Sequence, residues 1–246
     1  LVSKDPSQVV EGYERVIRAR LADARFFYES DKKQSLESRA KRLSKVVFQE
    51  ELGTVYDKSQ RMAALASTIA EWIGADMTGC ARAASLSKCD LLTLMVGEFA
   101  ELQGLMGYYY ALHDGEPKEL AQALNEQYMP RFSGDDLPSS KTGIALALAD
   151  KLDSLVGIFG IGQPPTGSKD PFALRRSAIG VLRIIVEREL DLDLLDCIKQ
   201  AVHGFKGIKL AEDTTGEVFE FLLERFKAWS MDEGVTAEEF QSEFAI

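Results

Sequence analysis

The sequence predicts an all-α fold, and three observations carry that prediction. Apolar residues recur at steps of three and four along most of the chain, the period of one face of a helix. No run of alternating polar and apolar residues marks a set of strands, and no fixed-period repeat is present. Glycine, proline or a capping side chain stands where one periodic stretch gives way to the next.

The first helix carries an apolar stripe of Val9, Tyr13, Val16, Ile17, Leu21, Ala24, Phe27 and Tyr28. Leu36, Ala40, Leu43, Val46 and Val47 repeat the pattern, and Gly53 marks its end. Asp57, with Gln60 three residues on, has the form of a capping box for a helix through Met62, Leu65, Ala66, Ile69 and Ile73 that stops near Gly74. Further helices are predicted over Gly79–Leu86, Glu98–Leu112, Lys118–Tyr128 and Thr142–Phe159. The stretch Gly160–Gly167, with two prolines, is a loop. Asp170 and Pro171 have the form of an N-cap and first helical residue. Helices over Asp193–Val202, Glu217–Ser230 and Ala237–Phe244 complete the chain.

At 246 residues the chain can form one large or two small domains with a sizeable core. Division points are suggested at Gly53–Asp57 and near Gly204–Gly216, where glycine and charge concentrate. Hydrophobic residues make up 46% and charged residues 28%, an ordinary soluble composition. No apolar run approaches the roughly 20 residues of a membrane span, so no membrane role is expected. The start, Leu1-Val2-Ser3-Lys4-Asp5-Pro6, has no initiator Met and no signal-peptide character, and reads as an excised internal segment. Cys80, Cys89 and Cys197 form no paired framework, which fits a cytoplasmic location. Domains dedicated to nucleic acid are usually basic. With a net charge of −10, any RNA contact must come from a local basic patch or from parts outside the chain; the acidity otherwise reads as solubility.

Three segments of the central bundle resemble HD-type domains, which hold a hydrolytic metal with one His, an adjacent His-Asp pair and a distant Asp. The helix from Lys58 to Ala66 resembles the one that opens with the first His. Ala83–Asp90 resembles the one ending in the pair, and Ala145–Leu152 the one bearing the last Asp. Lys58 and Cys89 stand where the two His belong, leaving Asp90 and Asp150. His113 and His203 lie outside the pattern. A protonated lysine repels a cation, so no metal site is expected. Lys58 can instead pair with Asp90 or Asp150 and hold the vestigial site together; otherwise the two aspartates cap helices or form salt bridges.

Gly162–Lys169 is superficially like a phosphate-binding P-loop. Its order is Ser168-Lys169 after the glycine, it carries two prolines, and the preceding segment reads as a helix rather than a strand, so an NTPase is excluded. Lys169 nevertheless precedes a helix N-terminus that carries Arg175, Arg176 and Arg183, with Arg176 and Arg183 on one face. This corner can bind RNA phosphate, or it can be neutralised by Asp170, Glu187 and Glu189. Arg15, Arg18 and Arg25 share a face and can bind phosphate or pair with Glu11, Glu14 and Asp23. No hydrolytic triad can be assembled from two isolated histidines, and no catalytic residue is assigned. Cys89 reads as a core thiol, Glu98 and Glu101 as a solvated helix edge, and Tyr108–Tyr110 mainly as packing with some stacking area.

Four segments, Gly12–Phe27, Lys88–Gly107, Ala149–Phe159 and Pro165–Arg176, resemble in order the β-subunit of bacterial glycyl-tRNA synthetase. Tyr13 departs from the Asn usual in that pattern. The resemblance implies an α2β2 ligase in which the α-subunit binds ATP and glycine and transfers glycine to tRNA(Gly), so this chain needs no cofactor. Residues 1–55 would be the end of a preceding core domain and 56–190 a degenerate HD-like bundle. Residues 191–246 would be helices leading to an anticodon-binding domain not included. The implied role is non-catalytic: binding and positioning tRNA(Gly) and contacting the α-subunit. The alternatives are an HD-type metal-dependent phosphohydrolase and a purely structural helical scaffold.

Overall fold

A computed structural model describes residues 6–236 and residue 239. Among them the chain forms eleven α-helices and one two-stranded hairpin: α1 Pro6–Asp31, α2 Leu36–Ala40, β1 Val47–Gln49, β2 Gly53–Thr54, α3 Val55–Trp72, α4 Met77–Leu86, α5 Leu94–Glu98, α6 Leu105–His113, α7 Lys118–Glu126, α8 Lys141–Gly160, α9 Leu174–Glu187, α10 Leu194–His203 and α11 Thr214–Asp232. The helix predicted over Ala237–Phe244 lies, apart from Glu239, outside the described residues.

The centre is α8. Its residues are buried on every face, mostly apolar or small but with Asp150, Lys151 and Asp153 at its middle, and a helix buried all round is stable only when surrounded. Ser140 starts it by accepting a hydrogen bond from the Gly143 amide at 2.9 Å. Helices α3, α4, α7, α9, α10 and α11 pack around it. One apolar cluster runs from Leu52 through α8 to Leu222, and a second joins α2, α3, α4, α6 and α7 to Leu146 on another side of α8. At Gly157 an added Cβ would lie 2.8 Å from the Leu52 side chain and 2.9 Å from the Phe205 ring, so the hairpin and the segment after α10 close directly on the α8 backbone.

Helix α1 is anchored along its C-terminal half, by Arg20 on Glu98 and Phe99 and by Ala24 and Tyr28 on the second cluster, and most firmly at its end. The Asp31 carboxylate, 3% exposed, accepts from the Leu94 and Met95 amides at 2.9 and 3.0 Å and from the Tyr110 hydroxyl at 2.9 Å. Arg39 lies 3.5 Å from the same carboxylate. Upstream, Val9, Val16, Ile17 and Leu21 of the apolar stripe are exposed.

Four predicted elements differ from those observed. The helix predicted through Val47 stops at Ala40, passes through a 3₁₀ turn, Lys41–Lys45, and becomes β1, as the β-branched pair Val46-Val47 favours. The cap of α3 is Thr54, which accepts from the Asp57 amide at 3.2 Å while Asp57 accepts from the Thr54 amide at 2.8 Å; Asp57 is therefore the third helical residue of the box, not its cap. The helix predicted over Glu98–Leu112 is broken between α5 and α6. Gly104 there has φ 83, and a Cβ on it would lie 2.6 Å from the Tyr128 ring. Helix α9 starts at Leu174, not at Pro171. Ala173 takes the left-handed conformation, φ 52, and Asp170 reaches past it to accept from the Leu174 and Arg175 amides at 2.8 and 3.0 Å.

Leu148 is fully buried in the main cluster. Leu148→Ala should lower the unfolding free energy by about 2–5 kcal/mol, measured by urea denaturation. A loss below about 1 kcal/mol would show that α8 is not the centre of the core.

Candidate functional site

The three segments that resemble the HD pattern meet around Asp150. Lys58, one turn into α3, places its ammonium 3.1 Å from Asp150 Oδ1 and 3.1 Å from Asp153 Oδ2. It also donates to the Ser154 hydroxyl at 2.9 Å and the Asp150 carbonyl at 3.0 Å. Lys88, just after α4, holds the other Asp150 oxygen at 2.9 Å. Arg61, one turn beyond Lys58, grips both oxygens of Asp153, with Nε 2.6 Å from Oδ1. Aromatic faces lie against the cations: Phe48 by Lys58 at 4.8 Å, Tyr128 by Lys88 at 4.2 Å and Phe205 by Arg61 at 4.4 Å.

Lys58 therefore pairs with Asp150 and, among the described residues, makes no ion pair with Asp90. Asp90 instead accepts from the Gly104 amide at 2.6 Å, fixing the break between α5 and α6. Cys89 turns its thiol toward the Ser85 carbonyl, 3.7 Å away in the second core cluster. Burial pushes that thiol up to about 12, so it carries no thiolate at neutral pH. These donors do not fit a divalent metal: both Asp150 oxygens face ammonium groups, and the thiol beside Asp90 points elsewhere.

The electrostatics follow from burial and pairing. Burial opposes the charge on Asp150, yet Lys88 and Lys58 outweigh it and hold the carboxyl well below its ordinary range. Burial pushes the Asp90 carboxyl up and the Lys88 ammonium down, against the pull of Asp150. Lys151 is only 7% exposed and donates to the Gln127 and Met129 carbonyls at 3.2 and 2.7 Å. Among the described residues no carboxylate stands within ion-pair distance of it. Burial brings its pKa down to about 8.

The predicted basic corner is partly assembled. Arg175, Arg176 and Arg183 line a groove of about 1020 Å³ between α9, α11 and the Pro130–Gly134 loop, together with Arg225, Phe132 and Trp229. Arg175 and Arg176 are held by single bonds to the Gly167 and Arg131 carbonyls, at 2.9 and 3.0 Å. Arg183 is tied to Glu187 at 2.5 Å, the neutralising pair the sequence allowed, and Asp232 and Glu233 also line the groove. Asp170 neutralises none of the arginines through its side chain; it caps α9. Lys169 is exposed outside the groove lining, with its backbone bonded to Thr166. Arg15 and Arg18 lie on the exposed part of α1, and Arg15 sits 3.8 Å from Glu11. Glu98 ends α5 and pairs with Arg20, whereas Glu101 lies in a 3₁₀ turn, so the two do not form one helix edge. Tyr110 is buried against Tyr28, and Tyr109 is exposed.

Sequence reasoning passed over Arg61, Lys88, Lys151, Asp153 and Arg225. One signal was available: Lys58 and Arg61 on α3, and Asp150 and Asp153 on α8, are each three apart and so share a face, a pattern suited to pairing across two helices. The roles of Lys88 and Arg225 depend on tertiary placement.

Comparison with known proteins supplies the family. The sequence profile described as "Glycyl-tRNA synthetase beta subunit" matches residues 1–245. The glycine–tRNA ligase beta subunit of Chromohalobacter salexigens is 58% identical over 236 residues, 96% of this chain and 34% of that protein. Those of Pseudomonas fluorescens and Ectopseudomonas mendocina are 57% and 56% identical over 244 residues, 99% of this chain and 36% of theirs. The chain thus spans about a third of the length of these curated relatives.

Asp153→Asn should destabilise the fold by about 3–5 kcal/mol, because it strands Arg61 in the interior; a change under about 1 kcal/mol in chemical denaturation would mean the pair is exposed to water. Lys151 yields a pH prediction. Its folded pKa, about 8, lies below the ordinary 10.5. Between those values the unfolded chain binds the additional proton, so stability due to this residue rises with pH across that window. Below pH 8 both states are protonated and the full penalty stands. From pH 7 to pH 10.5 the unfolding free energy of the wild type should gain about 3 kcal/mol relative to Lys151→Met. A pH-independent difference would show that the ammonium is well solvated.

Proposed function

Because the chain belongs to the glycyl-tRNA synthetase β-subunit family, we propose that it is a non-catalytic segment of a glycine–tRNA ligase that binds and positions tRNA. The supporting observation is the groove of Arg175, Arg176, Arg183 and Arg225 with Phe132 and Trp229, set in a chain whose net charge is −10. Guanidinium groups bind phosphate in a bidentate fork, and aromatic faces accept unstacked bases. An RNA surface needs only such a local patch, and acidity elsewhere limits non-specific contact.

Hydrolysis by this segment is disfavoured by Lys58 and Lys88, which hold both oxygens of Asp150. The contribution to catalysis is then positional. Glycine activation and transfer would occur on the α-subunit, while this chain holds the RNA so that its acceptor end reaches that site; correct placement alone can supply several kcal/mol of a barrier. The exposed stripe of Val9, Val16, Ile17 and Leu21 on α1 supports a second part of the role, contact with another part of the assembly.

In the complete ligase, Arg175→Ala with Arg176→Ala should lower aminoacylation kcat/KM about tenfold, roughly 1.4 kcal/mol. It should also reduce the salt slope of tRNA binding by about 2. Glycine-dependent ATP–pyrophosphate exchange should stay within about twofold of wild type. An equal fall in exchange and aminoacylation would place these arginines at the subunit contact and not on RNA.

A further inference from the structure

Beside the Asp150 network lies a recess of about 330 Å³. Its polar lining includes Gln103, Tyr128, Arg131, Lys151, Arg176 and Ser177. Four buried cations, Lys58, Arg61, Lys88 and Lys151, surround three carboxylates, Asp90, Asp150 and Asp153. Lys58 and Lys88 are satisfied by Asp150, and Arg61 by Asp153. Lys151 is left as the cation whose hydrogen bonds go only to carbonyls, and it lines the recess. A buried ammonium without a counter-charge is costly, and an anion beside it would relieve that cost.

We infer that this recess binds a phosphate monoester, supplied either by the 5′ end of an RNA or by a small nucleotide. Lys151 forms its floor, with one ammonium proton remaining after the bonds to Gln127 and Met129. Arg131 and Arg176 supply guanidinium groups and are joined by the bond from Arg176 to the Arg131 carbonyl. The Gln103 amide adds an uncharged donor, whereas the Ser177 hydroxyl gives its proton to the Ala173 carbonyl at 3.1 Å. Asp150 and Glu101 also line the recess, but both Asp150 oxygens are already engaged by ammonium groups. A monoester carries up to two negative charges near neutral pH, which Lys151 and Arg176 can match, with Arg131, 3.9 Å from Asp135 and bonded to Asn125, at the rim. The volume equals about eleven waters, room for a phosphate and part of a nucleoside but not for a duplex. An end group therefore fits better than an internal diester.

The 5′-RNA source rests on the tRNA-binding reading; the small-nucleotide source does not. The test uses the complete ligase with tRNA transcripts ending in 5′-phosphate or 5′-hydroxyl, and AMP against adenosine. For an RNA end, the phosphorylated transcript should bind about fivefold more tightly or better, and the preference should vanish in Lys151→Met and in the rim variant Arg131→Gln. For a small nucleotide, the two transcripts bind alike, while AMP and not adenosine raises the Tm of wild type and fails to do so in either variant. The inference is overturned if neither preference appears. Salt-dependent binding of both transcripts would then leave the tRNA-binding reading standing without it. Should neither transcript bind, that reading fails and AMP alone decides the recess.

Discussion

The contact on which the rest of this structure depends is the grip of Lys58 and Arg61 on Asp150 and Asp153. It joins α3 to α8 through charge at the point where the surrounding helices converge. Such an interaction sets geometry more than it adds stability. Desolvation consumes most of what the attraction between buried charges supplies, but breaking one side leaves a charge with nowhere to go. The α3–α8 contact is therefore fixed in register. Lys88 then fixes the end of α4 to the same carboxylate, and Asp90, two residues on, fixes the break before α6.

The parts of the fold legible in the sequence are those governed by local chemistry. Helices α3, α4, α7, α8, α10 and α11 follow from the apolar period, although the cap of α3 is Thr54 and not Asp57. One misread part, the break before α6, is decided by distant contact, and the others by local chemistry. Gly104 breaks a continuous periodic stretch because the Tyr128 ring occupies the space a side chain would need. The start of α9 is displaced because Asp170 caps across three residues instead of beside the helix. At Val47 the local preference was legible in principle: two adjacent β-branched residues favour a strand over a helix's last turn.

At the site, residue type was more informative than position. An ammonium at Lys58, where the pattern this segment resembles has an imidazole, predicts an ion pair in place of coordination, and the structure has that pair with Asp150. It does not have the partnership with Asp90, because Asp90 is engaged by the Gly104 backbone. Lys88 is adjacent to the motif but draws no notice from a pattern built on His and Asp. Its importance comes from where the end of α4 lands. Lys169 shows the converse. It sits beside the predicted corner in sequence, yet the delayed start of α9 leaves it on the exposed loop, and Arg225 from α11 completes the groove.

A metal-binding pocket and an anion-binding one differ by the sign of the charge left over after internal pairing. Around Asp150 the two ammoniums supply the charge a divalent cation would bring, so the carboxylate is satisfied from within the chain. The additional cation, Lys151, then tips the interior toward positive. That excess faces the recess, and Arg176 lines both the recess and the arginine groove. One helix face of α9 thus connects a surface suited to an RNA backbone with an interior suited to a terminal phosphate. With both oxygens of Asp150 held by ammonium groups, the interior has no carboxylate left to offer a cation, and the additional ammonium of Lys151 suits it to an anion.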